Sequence, residues 1–174
     1  RREEKLSNLM TSAEKLYTGL QHNRLMRGIG ALRKSKSAKV ELKIVSAGYG
    51  LVPASRKLAP YEATFSGMPK KDLEAWGREL SIPSDMAKLL SKPYDLALIL
   101  LGDDYLRACG LDEAITLGGP TVFFVGKASA KRLPRLRGAH TVLVGNPEAK
   151  RFHCGLVGLK GELGARILEE ISAA

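Results

Sequence analysis

The sequence predicts an α/β domain in which a largely parallel sheet of about four strands is flanked by helices. Three observations predict it. Short β-rich runs alternate with segments of helical periodicity. One run, Tyr94 to Leu101, is nearly continuous in apolar residues, the pattern of a strand covered on both faces in a parallel sheet. The chain has 174 residues, 44% hydrophobic and 26% charged, which is enough for one domain with its own core and argues against whole-chain disorder. The chain therefore reads as one unit, 1–174, with a helical N-terminal part over 1–34, and it is compatible with a piece of a longer gene product.

The elements follow in order. Leu6, Leu9, Met10, Ala13, Leu16 and Tyr17 recur at three-and-four spacing and predict a helix over 2–18. Gly19 interrupts, and Leu25, Met26, Ile29 and Leu32 predict a second helix over 21–34. A basic loop, 33–39, leads to a strand from Val40 to Val45. Residues 47–68 hold three glycines and two prolines and read as a long irregular segment, a type of loop that often carries function. Pro69 opens a helix ending near Leu80. Ser84 is read as the cap of a short helix over 85–91. After the strand Tyr94–Leu101 come a helix over 103–109, strands over Pro120–Val125 and His140–Val144, and a last helix over 162–173.

Charge narrows the partners. Twenty-eight Lys and Arg oppose 18 Asp and Glu, for a net charge of +10. The excess sits in two blocks. Residues 22–46 carry a net +6 and residues 127–160 a net +7, whereas 47–126 carry −2. Lys127, Lys131, Arg132, Arg135 and Arg137 crowd the connection between the last two strands. Brought to one face, the blocks would form a phosphate-tracking surface; kept apart, they are a solvated exterior. Nucleic acid is the expected partner. No run approaches a membrane span and no signal peptide is visible, so a cytoplasmic, reducing setting is expected. Two cysteines exclude a disulfide-dense scaffold, and three scattered histidines offer little for zinc, so neither metal nor cofactor is expected.

Four constellations could carry chemistry. Ser46-Ala47-Gly48-Tyr49-Gly50-Leu51 begins at a predicted strand end, where open α/β sheets bind ligands, and its glycines allow close backbone approach. The bland alternative is a tight turn around a core tyrosine. Ala59-Pro60-Tyr61-Glu62 offers an aromatic for stacking and a carboxylate for proton transfer, or else a loop anchor and a pair with Lys57. Gly102-Asp103-Asp104-Tyr105 places acids at a strand end, where they either act on a substrate or favour a helix dipole. Gly155, Gly158, Gly161 and Gly164 lead into the last helix, whose start could receive phosphate. A Walker A loop is excluded, because Thr121 stands where Gly126-Lys127 needs a glycine five residues upstream. Trp76 and Cys109 read as packing residues.

Ile44-Val45-Ser46-Ala47-Gly48-Tyr49-Gly50-Leu51-Val52, then Leu58-Ala59-Pro60-Tyr61-Glu62-Ala63-Thr64-Phe65, then Gly102 with Tyr105, together resemble a widespread uncharacterised bacterial domain family. That family is itself distantly similar to the peroxide stress protein YaaA. Leu16-Tyr17-Thr18-Gly19 fits the same pattern, and the resemblance spans roughly residues 15–110. It implies an α/β fold with a basic cleft, DNA binding ahead of RNA binding, and a role in stress, repair or defence. By analogy with base-excision glycosylases, it implies that Ser46, Gly48, Tyr49 and Gly50 form a pocket wall. Tyr61 and Tyr105 would then face a base, with Tyr49, Glu62 or Asp103 assisting cleavage of an N-glycosidic bond. A non-catalytic nucleic-acid-binding module, or a subunit of a larger assembly, is the alternative.

Overall fold

The computed structural model describes residues 7–174. The fold is mixed α/β, but its parallel sheet has three strands rather than four. These are β5 (Ala97–Ile99), β6 (Thr121–Val125) and β7 (Ala139–Leu143), in the order β5-β6-β7. Both neighbouring pairs are parallel, with Ile99 opposite Phe123 and Phe123 opposite Thr141. The remaining predicted strand is β2 (Lys43–Ser46), which folds back on β3 (Gly50–Pro53) as an antiparallel hairpin. The correction has a local cause. Ser46 pairs with Gly50 across a three-residue loop, and Gly50 takes φ +75. A Cβ at Gly50 would also stand 2.7 Å from the Leu80 carbonyl oxygen, so only glycine fits the turn.

The predicted helix over 2–18 is also corrected; residues 2–6 of it lie outside the described residues. A 3₁₀ turn at Ser7–Leu9 gives way to β1 (Thr11–Ser12), which pairs antiparallel with β4 (Lys57–Leu58). Only the single-turn helix α1 (Ala13–Leu16) remains. The loop segment 47–68 thus supplies two strands. Helix α2 (Leu20–Ser35) follows the reading closely. Helix α3 (Lys70–Glu79) starts behind Pro69 as expected, and α4 (Ile82–Leu90) starts three residues earlier than expected. Its cap position is Ser81, in the left-handed region at φ 59, while Ser84 lies inside the helix and donates to the Ser81 carbonyl.

Strand β5 divides the interior, because alternate residues face opposite sides. Ile99 and Leu101 pack toward Leu73, Ile82, Met86, Leu90 and Cys109, beneath α3, α4 and α5 (Asp103–Ala108). Leu98 and Leu100 face the other way, toward Phe124 and Leu159. On that side α2 lies against α8 (Leu156–Ala173). The full double burial expected for Tyr94–Leu101 is found instead in the central strand β6, whose Phe123 and Phe124 are each 1% exposed on opposite faces. Helix α8 begins six residues earlier than predicted. Its glycines serve close helix packing, since a Cβ at Gly161 would fall 2.0 Å from the Gln21 carbonyl oxygen. Two short helices, α6 (Lys127–Ala130) and α7 (Asn146–Arg151), complete the connections after β6 and β7.

Candidate functional site

Ser46 ends β2 and is fully buried. Its Oγ accepts the backbone N–H groups of Gly48 (3.2 Å) and Tyr49 (3.1 Å), which closes the hairpin turn. Both lone pairs of the hydroxyl are then occupied, so its proton goes out to the tyrosine pair: the Tyr61 Oη lies at 2.7 Å, and Tyr17 is also within reach of Ser46. Tyr61 in turn lies 2.5 Å from the Tyr17 Oη. A proton count follows. Two amides donate to Ser46 and Ser46 donates to the tyrosine pair; one phenol proton bridges the two tyrosines, and the other is left as a donor without a protein acceptor among the described residues. Burial pushes the Tyr17 phenol above the ordinary tyrosine range; Ser46 opposes that shift, and Tyr61 and Tyr105 add to it. Tyr17 therefore stays neutral and able to donate at any physiological pH.

The rings are fixed as firmly as the hydroxyls. Tyr49 meets Tyr61 edge to face at a centroid distance of 5.2 Å, and its hydroxyl donates to the Ala59 carbonyl at 3.2 Å. Gly48 makes room for this pair: a Cβ there would press to 2.7 Å from the Tyr61 ring. The Arg56 guanidinium sits 5.7 Å over the Tyr49 ring and adds a cation at the rim. Trp76, read from sequence as core, is 36% exposed and instead ties the turn to α3 by donating to the Ala47 carbonyl at 2.8 Å.

Tyr105 adjoins this cluster from the first turn of α5. Its ring meets Phe65 edge to face at 5.2 Å, and its hydroxyl lies 3.3 Å from the Thr64 Oγ1. Asp103, at the start of the same helix, is exposed and lies at the carboxyl end of β5. Two other elements converge on that strand end. Gln21 of α2 donates to the Leu100 carbonyl, and Lys160 of α8 donates to the Leu101 carbonyl. Burial lowers the Lys160 ammonium below the ordinary lysine range, while the attraction of Asp103 holds it up.

A family model matches residues 3–117, about two thirds of the chain. The chain belongs to DUF6884, a family of unknown function. No curated protein and no solved structure matches it. The DUF6884 span contains the whole tyrosine cluster, together with Thr64, Asp103 and Tyr105. It stops short of the sheet's β6 and β7.

The structure thus brings Ser46, Gly48, Gly50, Tyr49 and Tyr61 together and sets Tyr105 beside them. Glu62 is not among them: it is exposed, and neither the alternative pair with Lys57 nor any other hydrogen bond to its side chain occurs among the described residues. The basic connection lies beyond the DUF6884 span and does not form one patch at the sheet's carboxyl edge. Lys127 follows the carboxyl end of β6, but Arg137 precedes the amino end of β7. Lys131, Arg132 and Arg135 lie on the path between those opposite edges, and all five cations are exposed. Sequence reading placed Tyr17 in the motif without a role. Lys160 and Gln21 carried no signal, because only the docking of α2 and α8 against β5 brings them to the strand end.

Proposed function

We propose that this protein binds nucleic acid, DNA ahead of RNA, and seats one base or nucleotide against the tyrosine cluster. The observation that carries the reading is the hydroxyl cluster of Ser46, Tyr61 and Tyr17, whose surplus phenol proton is a neutral donor beside aromatic faces. A nucleobase presents acceptors on its edge and a π-face for stacking, and Arg56 at the rim suits the phosphate that accompanies it. The net charge of +10 supports the same partner class. A distant relation of the family to the peroxide stress protein YaaA, which we propose from the motif residues alone, would place the protein in a stress, repair or defence role in the cytoplasm.

The binding reading stands ahead of a catalytic one because no carboxylate is hydrogen-bonded to the tyrosine chain among the described residues. The catalytic extension is hydrolysis of an N-glycosidic bond. Water would add its hydroxyl to the sugar carbon, and the leaving base would depart with a proton, with Asp103 as the carboxylate at the strand end. Fluorescence anisotropy with matched single-stranded DNA and RNA, through a salt series, tests the first reading. A linear fall of log affinity with log salt is expected, and Tyr61→Ala is expected to weaken binding about tenfold. No retention at physiological salt, or a Tyr61→Ala variant as tight as wild type, would count against it. Abasic sites that form with the wild type and vanish with Asp103→Asn would establish the catalytic extension.

A further inference from the structure

The parallel sheet has a second constellation at its carboxyl edge that shares no residue with the tyrosine cluster. An open pocket of about 690 Å³ lies where α7, which follows β7, hands over to α8. Arg24, Asn146, Lys150, His153 and Gly155 line it. Three features of one sign meet there. The first is the start of an 18-residue helix whose cap is Gly155, with no side-chain cap and no acid in its first turn, so its leading N–H groups and positive dipole end are uncompensated. The second is Arg24 of α2, whose guanidinium carbon lies 3.0 Å from the point where a Gly158 Cβ would stand, directly on that first turn. The third is Lys150, which lines the pocket together with His153.

A guanidinium laid on the positive end of a helix is unfavourable unless an anion sits between or beside them. Arg24 makes no ion pair among the described residues, and its Nη1 is buried without a hydrogen-bond partner, the only such side-chain atom among them. A buried donor of this kind is costly to leave unmet, and Arg24 lines the pocket through which an acceptor can reach its side chain. Gly158 is needed for this arrangement, because any side chain would displace the guanidinium. The α2·α8 packing therefore holds Arg24 in place whether or not a ligand is bound.

We infer that this pocket is a binding site for a phosphate monoester dianion. Arg24 and Lys150 balance its two charges, and the free amides at the start of α8 take its oxygens. The ligand is either free phosphate or the terminal phosphate of a nucleotide or strand; a phosphodiester, with one charge and less access, fits less well. The inference is independent of the nucleic-acid reading above, since none of its residues belongs to the tyrosine cluster.

The test is an amide chemical-shift titration of the full chain with inorganic phosphate, at constant ionic strength held with chloride. Saturable shifts at Gly155, Leu156 and Val157 are expected, with Arg24→Gln weakening the affinity about tenfold and Lys150→Gln by a smaller factor. Lys150 is exposed, so that variant folds even where Arg24→Gln disturbs the helix pair. Displacement of phosphate by a 5′-phosphorylated oligonucleotide, but not by its 5′-hydroxyl counterpart, would assign the ligand to a strand end; displacement by neither would assign it to free phosphate. Tyr61→Phe should leave these shifts unchanged, which separates this site from the other. Shifts that fail to saturate, or an affinity that neither substitution changes, would overturn the inference.

Discussion

Tyr61→Phe removes one oxygen and keeps the ring, so it isolates the hydroxyl chain. That oxygen serves two hydrogen bonds, to Ser46 at 2.7 Å and to Tyr17 at 2.5 Å. At about 1 kcal/mol net each, their loss is worth about 2 kcal/mol. Ser46 is 0% exposed, so its proton loses its acceptor with no water to replace it, which brings the total to about 2–3 kcal/mol. For a chain of this size the melting temperature falls by about 4–12 °C. Tyr17→Phe should cost less, since Tyr17 ends the chain and half-faces solvent. Urea denaturation of both single variants and the double variant measures the asymmetry and the coupling, which is expected near 1 kcal/mol. A Tyr61→Phe cost below about 0.5 kcal/mol, equal costs at the two positions, or strict additivity would refute the central place of the Tyr61 hydroxyl between Ser46 and Tyr17.

Four further outcomes follow from the same geometry. Gly48→Ala should drive the Tyr61 ring off both partners and cost about 1–3 kcal/mol by overpacking, seen as a lower urea midpoint with an unchanged slope. Burial pushes the Cys109 thiol up to about 12, so iodoacetamide on the native protein should label Cys154 alone, with Cys109 reacting only after unfolding. Arg27 and Arg166 hold the Glu162 carboxyl below the usual range, so its contribution is present above about pH 4.3 and is lost as pH falls through the depressed folded value. Glu162→Gln should therefore be less stable at neutral pH by about 1–3 kcal/mol, with the gap closing in acid; a constant gap across a pH series of urea melts would exclude this origin. Asp103→Asn removes the attraction that opposes burial at Lys160, so the Lys160 pKa should fall further; an NMR titration of the lysine side chain that finds it rising or unmoved would contradict the contact.

Local pattern carried the parallel half of the fold and failed on the antiparallel half, for a physical reason. Phe123, Phe124 and Val125 form an uninterrupted apolar run because β6 is covered on both faces, and such a run announces itself. Strands β1 and β4 are two residues each, and Thr11-Ser12 has no apolar signature. They exist because Thr11 finds Leu58, a pairing 47 positions away that no local window contains. The helix predicted over 2–18 fails in its described part the same way: its three-and-four apolar spacing is real, but Ala13, Val52 and Leu58 share a core cluster that fixes the backbone as strand, then a single helical turn. Glycine was legible where a turn demanded it, at Gly50, and misleading where packing demanded it, at Gly161, because both look alike in a string of letters.

The site follows the same division. Ser46, Gly48, Tyr49 and Gly50 are contiguous, and a hairpin turn is a local object, so the motif named its own members. Tyr61 joined them because Pro60 and a carboxylate flanked it; of that pair only the tyrosine reaches the cluster, while Glu62 points to solvent. What no motif could express is the proton count. Two backbone amides of the turn saturate Ser46, so the serine can only donate to the tyrosines, and one phenol proton is left over. With the turn opened, Ser46 would be free to accept from a tyrosine, and the surplus proton would be used up. The glycines at 48 and 50 therefore control more than backbone shape: by closing the turn tightly enough for both amides to reach Ser46, they leave the tyrosine pair a proton to offer to a ligand.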